Sequence, residues 1–209
     1  MNVRVPDNPD DLPAHSTIVL QAGANIELRE LREEDAEPLF LLVDSNRLYL
    51  REWLPWVDQD KTSEDSRRFV FFTIGQRLRS EAFTFGLWIP HEGDPQTPNI
   101  LAGIAAFRTL DHSNRSGEIG YWLAEPYQGK GIMTEACRAL VDFGFGKLAL
   151  HRIVIRCATG NRRSCRVPER LGFRFEGITR EAEFLYDHFV DLNVYAMLSH
   201  RWNQIGTKE

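Results

Sequence analysis

The sequence predicts one three-layer α+β domain, a mixed sheet with helices on both faces, from three observations. Strand-like stretches at Ala82–Ile89 and Ile100–Phe107 flank a Pro/Gly-rich interruption, His91–Asn99, which is the pattern of antiparallel neighbours joined by a hairpin loop. Two runs of helical spacing, Glu33–Val43 and Ser63–Leu78, come before them. A further strand-like run, Gly117–Leu123, leads through a glycine-rich turn straight into an amphipathic stretch, Ile132–Phe145.

Each element follows from its residues. Val70, Ile74 and Leu78 set the helical face of 63–78, which Gly75 weakens slightly, and Phe83, Phe85, Leu87 and Ile89 alternate onto one side of their strand. Met133, Ala136, Cys137, Leu140 and Val141 share one face of the next helix, and Gly144 and Gly146 are its stop signals. His151–Cys157 alternates as a strand. Asn161 or a neighbour starts a short helix that stops at Gly172, and two strands, about Phe173–Glu181 and Val190–Leu198, complete the sheet. The domain boundaries expected are an N-terminal extension at 1–24, the domain at 25–203 and a tail at 204–209.

Composition limits the classes available. The 209 residues are 43% hydrophobic and 26% charged, enough for one buried core and unlike disorder. No apolar run approaches a membrane span, and Met1–Ala14 is polar, without the basic-then-apolar order of a signal peptide, so a cytoplasmic protein is expected. Cys137, Cys157 and Cys165 are odd in number and match no zinc or redox spacing, and the histidines show no metal-ligand spacing; reduced thiols and no metal follow. The net charge of −5 conceals an asymmetry: residues 1–100 hold ten Lys/Arg and eighteen Asp/Glu, whereas 151–180 hold eight Arg and two Glu. The basic segment suits a ligand with several phosphates, through Arg162, Arg163 and Arg166, although a solvated helix face explains any one of them equally well. An acidic chain without aromatics among its basic residues disfavours nucleic acid.

The turn Tyr127-Gln128-Gly129-Lys130-Gly131-Ile132-Met133-Thr134 carries the chemistry. Its glycines let the backbone approach a ligand, and the first N–H groups of the helix have no partner inside it and are free to bind a phosphate. A Walker-type loop is excluded because Lys130 is followed by Gly131 and not by Ser or Thr, and the three-glycine dinucleotide fingerprint is absent. The turn resembles the Gln/Arg-x-x-Gly-x-Gly/Ala motif of the GNAT superfamily of N-acetyltransferases, with Met133 where Gly or Ala is usual; Met133 still offers its backbone N–H. Asn161–Phe173 resembles the Asn-x-x-Ser block that follows in that superfamily, and Arg29–Ala36 resembles its opening strand and helix. Leu50–Trp56 and Asp191-x-x-x-Tyr195 resemble the RimJ/RimL type, which acetylates ribosomal-protein N-termini. The resemblance runs from about Ile26 to Trp202.

The resemblance implies a mostly antiparallel central sheet and acetyl-CoA as acyl donor, held by Leu123, Ala124, Gln128, Gly129, Lys130, Gly131, Ile132, Met133, Thr134, Asn161, Arg163 and Ser164. A backbone N–H of Leu123 or Ala124 would bind the developing oxyanion, Ser164 would protonate the departing thiolate, and Asn161 would bind pantetheine; the competing reading is that Asn161 and Ser164 merely cap a helix. Glu183 matches the family's general-base position but also fits a surface carboxylate, and Glu118 competes for the role through a bound water. Tyr49, Trp53 and Trp56 wall an acceptor groove or, at their helical spacing, belong to the core. Tyr195 reads as a core residue before an acid, and an acyl-enzyme on Cys157 or Cys165 lacks a recognisable histidine partner. The resemblance implies the N-terminal α-amine of a ribosomal protein as acceptor; an amine of pKa about 8, neutral in roughly a tenth of molecules at pH 7 against well under a thousandth for lysine, suits a weakly tuned carboxylate base better than lysine does. A polyamine or aminoglycoside acceptor, a non-catalytic acyl-CoA-binding module and a homodimer all stay open.

Overall fold

The computed structural model describes residues 17–91, 97 and 99–206. Most of the hairpin loop expected at His91–Asn99, and most of the N-terminal extension, lie outside the described residues. The strands are β1 (Val19–Ala22), β2 (Ile26–Glu30), β3 (Phe83–Ile89), β4 (Ile100–Asp111), β5 (Ser116–Leu123), β6 (Arg152–Ala158), β7 (Arg174–Leu185) and β8 (His188–Leu198). They form one sheet in the order β1-β2-β3-β4-β5-β6-β8-β7. Of the pairs in it, β5–β6 is parallel and the rest are antiparallel, so the sheet is mixed and mostly antiparallel.

Helices α1 (Ala36–Ser45), α2 (Arg47–Arg51) and α3 (Ser63–Leu78) cover one face; α4 (Ile132–Gly146), α5 (Arg162–Arg170) and α6 (Ser199–Gly206) belong to the other. The alternation of β5 divides the two cores. Ile119 and Leu123 pack with Ala136, Cys137, Leu140 and Val141 of α4, while Trp122 packs with Leu39, Val43, Leu50 and Val70 of the helices opposite. The helix expected at Glu33–Val43 begins as a tight 3-10 turn, Glu33–Asp35, before α1. Its start is fixed by Asp35, whose carboxylate accepts two 2.9 Å hydrogen bonds from Arg29 and one of 2.7 Å from the Arg32 N–H.

Two elements sit across the expected boundaries. Strand β1, within the stretch assigned to the extension, pairs with β2 and buries Ala22 in the α4 core. Helix α6 crosses from the domain into the expected tail, held by Trp202, whose Nε1 donates to Asp142 at 2.6 Å. Strand β7 runs to Leu185 past a break in register between Thr179 and Glu183, longer than the sequence suggests, because Glu183 re-pairs with Val190 beyond the break. Among the described residues no helix is long and apolar enough to cross a membrane, and no three His, Cys, Asp or Glu side chains are grouped as a metal site.

Candidate active site

The parallel pairing of β5 and β6 ends at Ile119 and Ile155, although β5 continues to Leu123 and β6 to Ala158. The strands splay, and the gap opens into a cleft of about 700 Å³, within the range of small-molecule sites. Its wall includes Tyr121 and Leu123 of β5, the turn from Gln128 to Thr134 except Lys130, and Asn161, Arg163, Ser164, Arg166 and Arg170 of the α5 segment.

The turn takes the form its glycines allow. Gly129 and Gly131 have φ of 73° and 78°, left-handed values that cost a side-chain-bearing residue about 1–2 kcal/mol. Gly131 is the N-cap of α4, so the N–H groups of Ile132 and Met133 head the helix at the cleft wall, while the Thr134 N–H is already bonded to the Gly131 carbonyl at 2.9 Å. Gln128 joins the turn to its surroundings. Its Nε2 donates to the Leu123 carbonyl at 3.3 Å and to the Tyr49 hydroxyl, and its Oε1 accepts from Arg163 at 3.1 Å.

Leu123 and Ala124 separate cleanly. The Ala124 N–H donates to the Ala102 carbonyl on β4 at 2.9 Å, and Ala124 is fully buried. Successive residues of a strand point their backbone groups to opposite edges, so the Leu123 N–H faces the splay. Ala124 therefore does not reach the cleft, and neither does Lys130.

On α5, Asn161 accepts the Ser164 N–H at 3.0 Å and caps the helix while also lining the cleft. The Ser164 Oγ lies 3.2 Å from the Cys157 sulfur and 3.3 Å from the Tyr121 hydroxyl, which itself donates to the Ser164 carbonyl at 2.9 Å. Burial, with the Cys157 and Cys137 sulfurs nearby, pushes the Tyr121 hydroxyl well up. The hydrogen bond with Cys165, together with burial, pushes the Cys157 thiol up and keeps it protonated, which argues against an acyl-enzyme there. Tyr195 is buried, with its hydroxyl donating to Glu169 at 3.0 Å, as a core residue would.

The candidate bases lie outside this lining. Glu118 is gripped by Arg156, whose Nη2 lies 2.9 Å from one carboxylate oxygen and 3.1 Å from the other. Glu183 is half-buried; burial raises its carboxyl above the ordinary range, the Arg108 and Arg156 charges pull it down and Glu118 pushes it up.

Of the aromatic candidates, Tyr49 and Trp53 line the cleft. Trp53 also crosses the β6–α5 loop, where a Cβ on Gly160 would come within 3.2 Å of its ring. Trp56 does not line the cleft: it packs on Trp122, ring centroids 6.1 Å apart, in the α1–α3 core. Arg170 went unnoticed in the sequence, yet Arg163, Arg166 and Arg170 recur at helical spacing and all reach the wall, whereas Arg162 does not. Tyr186, at the tip of the β7–β8 hairpin, was missed too. Its hydroxyl donates to the Leu54 carbonyl at 2.6 Å, and Arg51 stacks on its ring at 3.9 Å, so the hairpin is tied to the segment that carries Trp53.

A mixed sheet that splays beside a glycine-turned helix N-terminus, with a basic helix opposite, makes a cleft suited to a ligand that carries several phosphates. The chain belongs to the GNAT acetyltransferase family, whose domain, described as Acetyltransferase (GNAT) domain, matches residues 25–174. The ribosomal-protein-serine acetyltransferase of Escherichia coli (strain K12) is 32% identical over 182 residues, spanning 87% of this chain and 97% of that protein. Among solved structures, RimL, the ribosomal L7/L12 alpha-N-protein acetyltransferase in complex with coenzyme A, superposes with a TM-score of 0.80 at 29% identity, covering 87% of this chain and 98% of that one. The Microcin C7 self immunity acetyltransferase MccE, in complex with acetyl-CoA and AMP, gives 0.76 at 28% identity over 84% and 93%. The chain is thus an acetyl-CoA-dependent N-acetyltransferase of RimL-like type.

Proposed function

We propose that the protein transfers acetyl from acetyl-CoA directly to the N-terminal α-amine of a ribosomal protein, in the cytoplasm. The observation that carries this reading is the splay itself, where the Leu123 N–H and Ser164 face a single gap beside the phosphate turn. The N–H groups of Gly131, Ile132 and Met133 would hold the pyrophosphate, with Arg163 and Arg170 supplying charge. The amine nitrogen attacks the thioester carbon and the Leu123 N–H takes the negative charge that develops on oxygen. The carbon–sulfur bond then breaks as Ser164 gives its proton to the thiolate and takes one back from solvent, while Glu183 accepts the proton released by the amine and returns it to solvent.

The likeness to the ribosomal-protein-serine acetyltransferase over nearly its whole length supports a protein N-terminus as acceptor. Initial rates with ribosomal-protein N-terminal peptides beside polyamines and aminoglycosides test it: the peptides are expected to be acetylated, and a profile restricted to small amines would overturn the acceptor. For the donor, Arg170→Gln removes a cation beside Thr134, whose Oγ1 lies 3.4 Å from Arg170 Nη1. It is expected to weaken acetyl-CoA binding by about tenfold, the worth of one charge-assisted hydrogen bond, with kcat nearly unchanged. Calorimetric titration of the variant with acetyl-CoA measures this, and unchanged affinity would exclude Arg170 from the phosphate site.

A further inference from the structure

Ser164 stands on a helix with one backbone donor missing. Helix α5 places the Ser164 carbonyl opposite the backbone nitrogen four positions on, and that position is Pro168, which has no N–H to give. The donor comes instead from the sheet. Tyr121 shares with Ile119 and Leu123 the face of β5 turned to α4 and α5, and its hydroxyl donates to the Ser164 carbonyl at 2.9 Å. At the other end of the same residue, the Asn161 side chain accepts the Ser164 N–H at 3.0 Å. Both backbone groups of Ser164 are therefore held by side chains, one from the helix cap and one from β5.

The side-chain hydroxyl is held more loosely. Ser164 Oγ lies 3.3 Å from the Tyr121 hydroxyl, longer than the roughly 2.5–3.0 Å of a good O–H···O bond, and 3.2 Å from the Cys157 sulfur, a weak acceptor. The one proton of Tyr121 is committed to the carbonyl, so Tyr121 offers Ser164 Oγ only a lone pair. Turning the Ser164 proton from either neighbour to a thiolate in the cleft gives up little, while the backbone that carries the oxygen stays fixed. Burial, which pushes the Tyr121 hydroxyl well up, keeps it a donor at working pH. Both residues line the cleft.

We propose that Tyr121 is a positioning residue for Ser164: it replaces the helix donor that Pro168 lacks and so fixes the Ser164 hydroxyl at the splay. The proposal rests on the reading of Ser164 as proton donor to the leaving thiolate.

The test is a double-mutant cycle on the single-turnover rate of acetyl transfer from acetyl-CoA to an α-amine peptide, with acetyl-CoA affinity followed by calorimetry. Ser164→Ala is expected to slow transfer by about 10²-fold or more, the worth of a proton donor, and Tyr121→Phe by about 10- to 100-fold, because the Ser164 hydroxyl then sits off line. Acetyl-CoA affinity stays within about threefold of the parent in both. The double variant is expected to be no slower than Ser164→Ala, since a residue that acts through another has nothing left to act on. Losses that multiply overturn the proposal. Pro168→Ala supplies the absent N–H, and combined with Tyr121→Phe it is expected to recover most of the lost rate; a combination as slow as Tyr121→Phe overturns the proposal. Should Tyr121→Phe fail to fold, the Pro168→Ala background carries the test: there Tyr121→Phe is expected to leave the rate near that of Pro168→Ala, and a marked fall overturns the proposal. If Ser164→Ala keeps the parental rate, the proton-donor reading fails and the proposal with it. If Ser164→Ala is slow while Tyr121→Phe transfers at the parental rate, that reading stands and the role of Tyr121 alone is overturned.

Discussion

Glu183→Gln is expected to lower turnover with an α-amine peptide by roughly 10²- to 10⁴-fold, the usual worth of a general base, while acetyl-CoA affinity stays within about twofold of the parent. Glu183 lies outside the lining of the cofactor cleft, so donor binding has no contact to lose. Burial sets its carboxyl above the ordinary range, closer to working pH than a solvated glutamate. The rate should therefore fall, as pH is lowered, earlier than an exposed carboxylate would allow. Stability runs the opposite way. A carboxyl whose folded-state pKa lies above its unfolded value contributes stability at low pH, and that contribution is lost as pH rises through the folded value. At neutral pH the ionised Glu183 therefore costs stability, and glutamine removes the cost. A melting temperature at neutral pH that holds or rises while turnover collapses is the expected signature; a protein that loses stability along with rate would show that Glu183 serves the fold.

What could be read in the sequence was local. The phosphate turn was legible because Gly129 and Gly131 need only their neighbours to adopt left-handed φ, and α4 because Met133, Ala136, Cys137, Leu140 and Val141 repeat at helical spacing. Asn161 as a helix cap is a three-residue relation and was equally visible. Contacts between distant strands were not. Arg156 and Glu118 lie 38 residues apart and meet through a parallel register that no turn announces. Tyr186 and Leu54 are separated by 132 residues. Arg170 carried a signal, its spacing from Arg163 and Arg166, which the bland reading of a solvated helix concealed. Strand β1 is four residues long, too short for alternation to stand out, and among the described side chains of α6 only Trp202 is buried. The choice between Leu123 and Ala124 depended on which edge of β5 each N–H faces, and that is fixed by the register with β4.

That register makes Gly103 the position where one methyl group should do most damage. Gly103 pairs with Leu123, and a Cβ on it would lie 2.3 Å from the Trp122 carbonyl oxygen and 2.9 Å from the Leu123 Cα. Both obstacles are backbone, so no rotamer change relieves them and β4 must move away from β5 at the residue whose N–H is proposed to serve the oxyanion. Gly103→Ala is expected to cost about 1–3 kcal/mol of stability, as overpacking in a core does. It should also lower kcat by about 10²-fold, the penalty of displacing a preorganised group by roughly 1 Å. Gly120→Ala provides the contrast on the neighbouring strand: its Cβ would lie 2.2 Å from Arg108 Cδ, but that obstacle belongs to a long, exposed side chain that can swing away. Its stability cost should stay under about 1 kcal/mol. Thermal melts with kcat measured below both transitions distinguish the two glycines, and a Gly103→Ala enzyme with normal turnover would mean that the Leu123 N–H does not carry the developing charge.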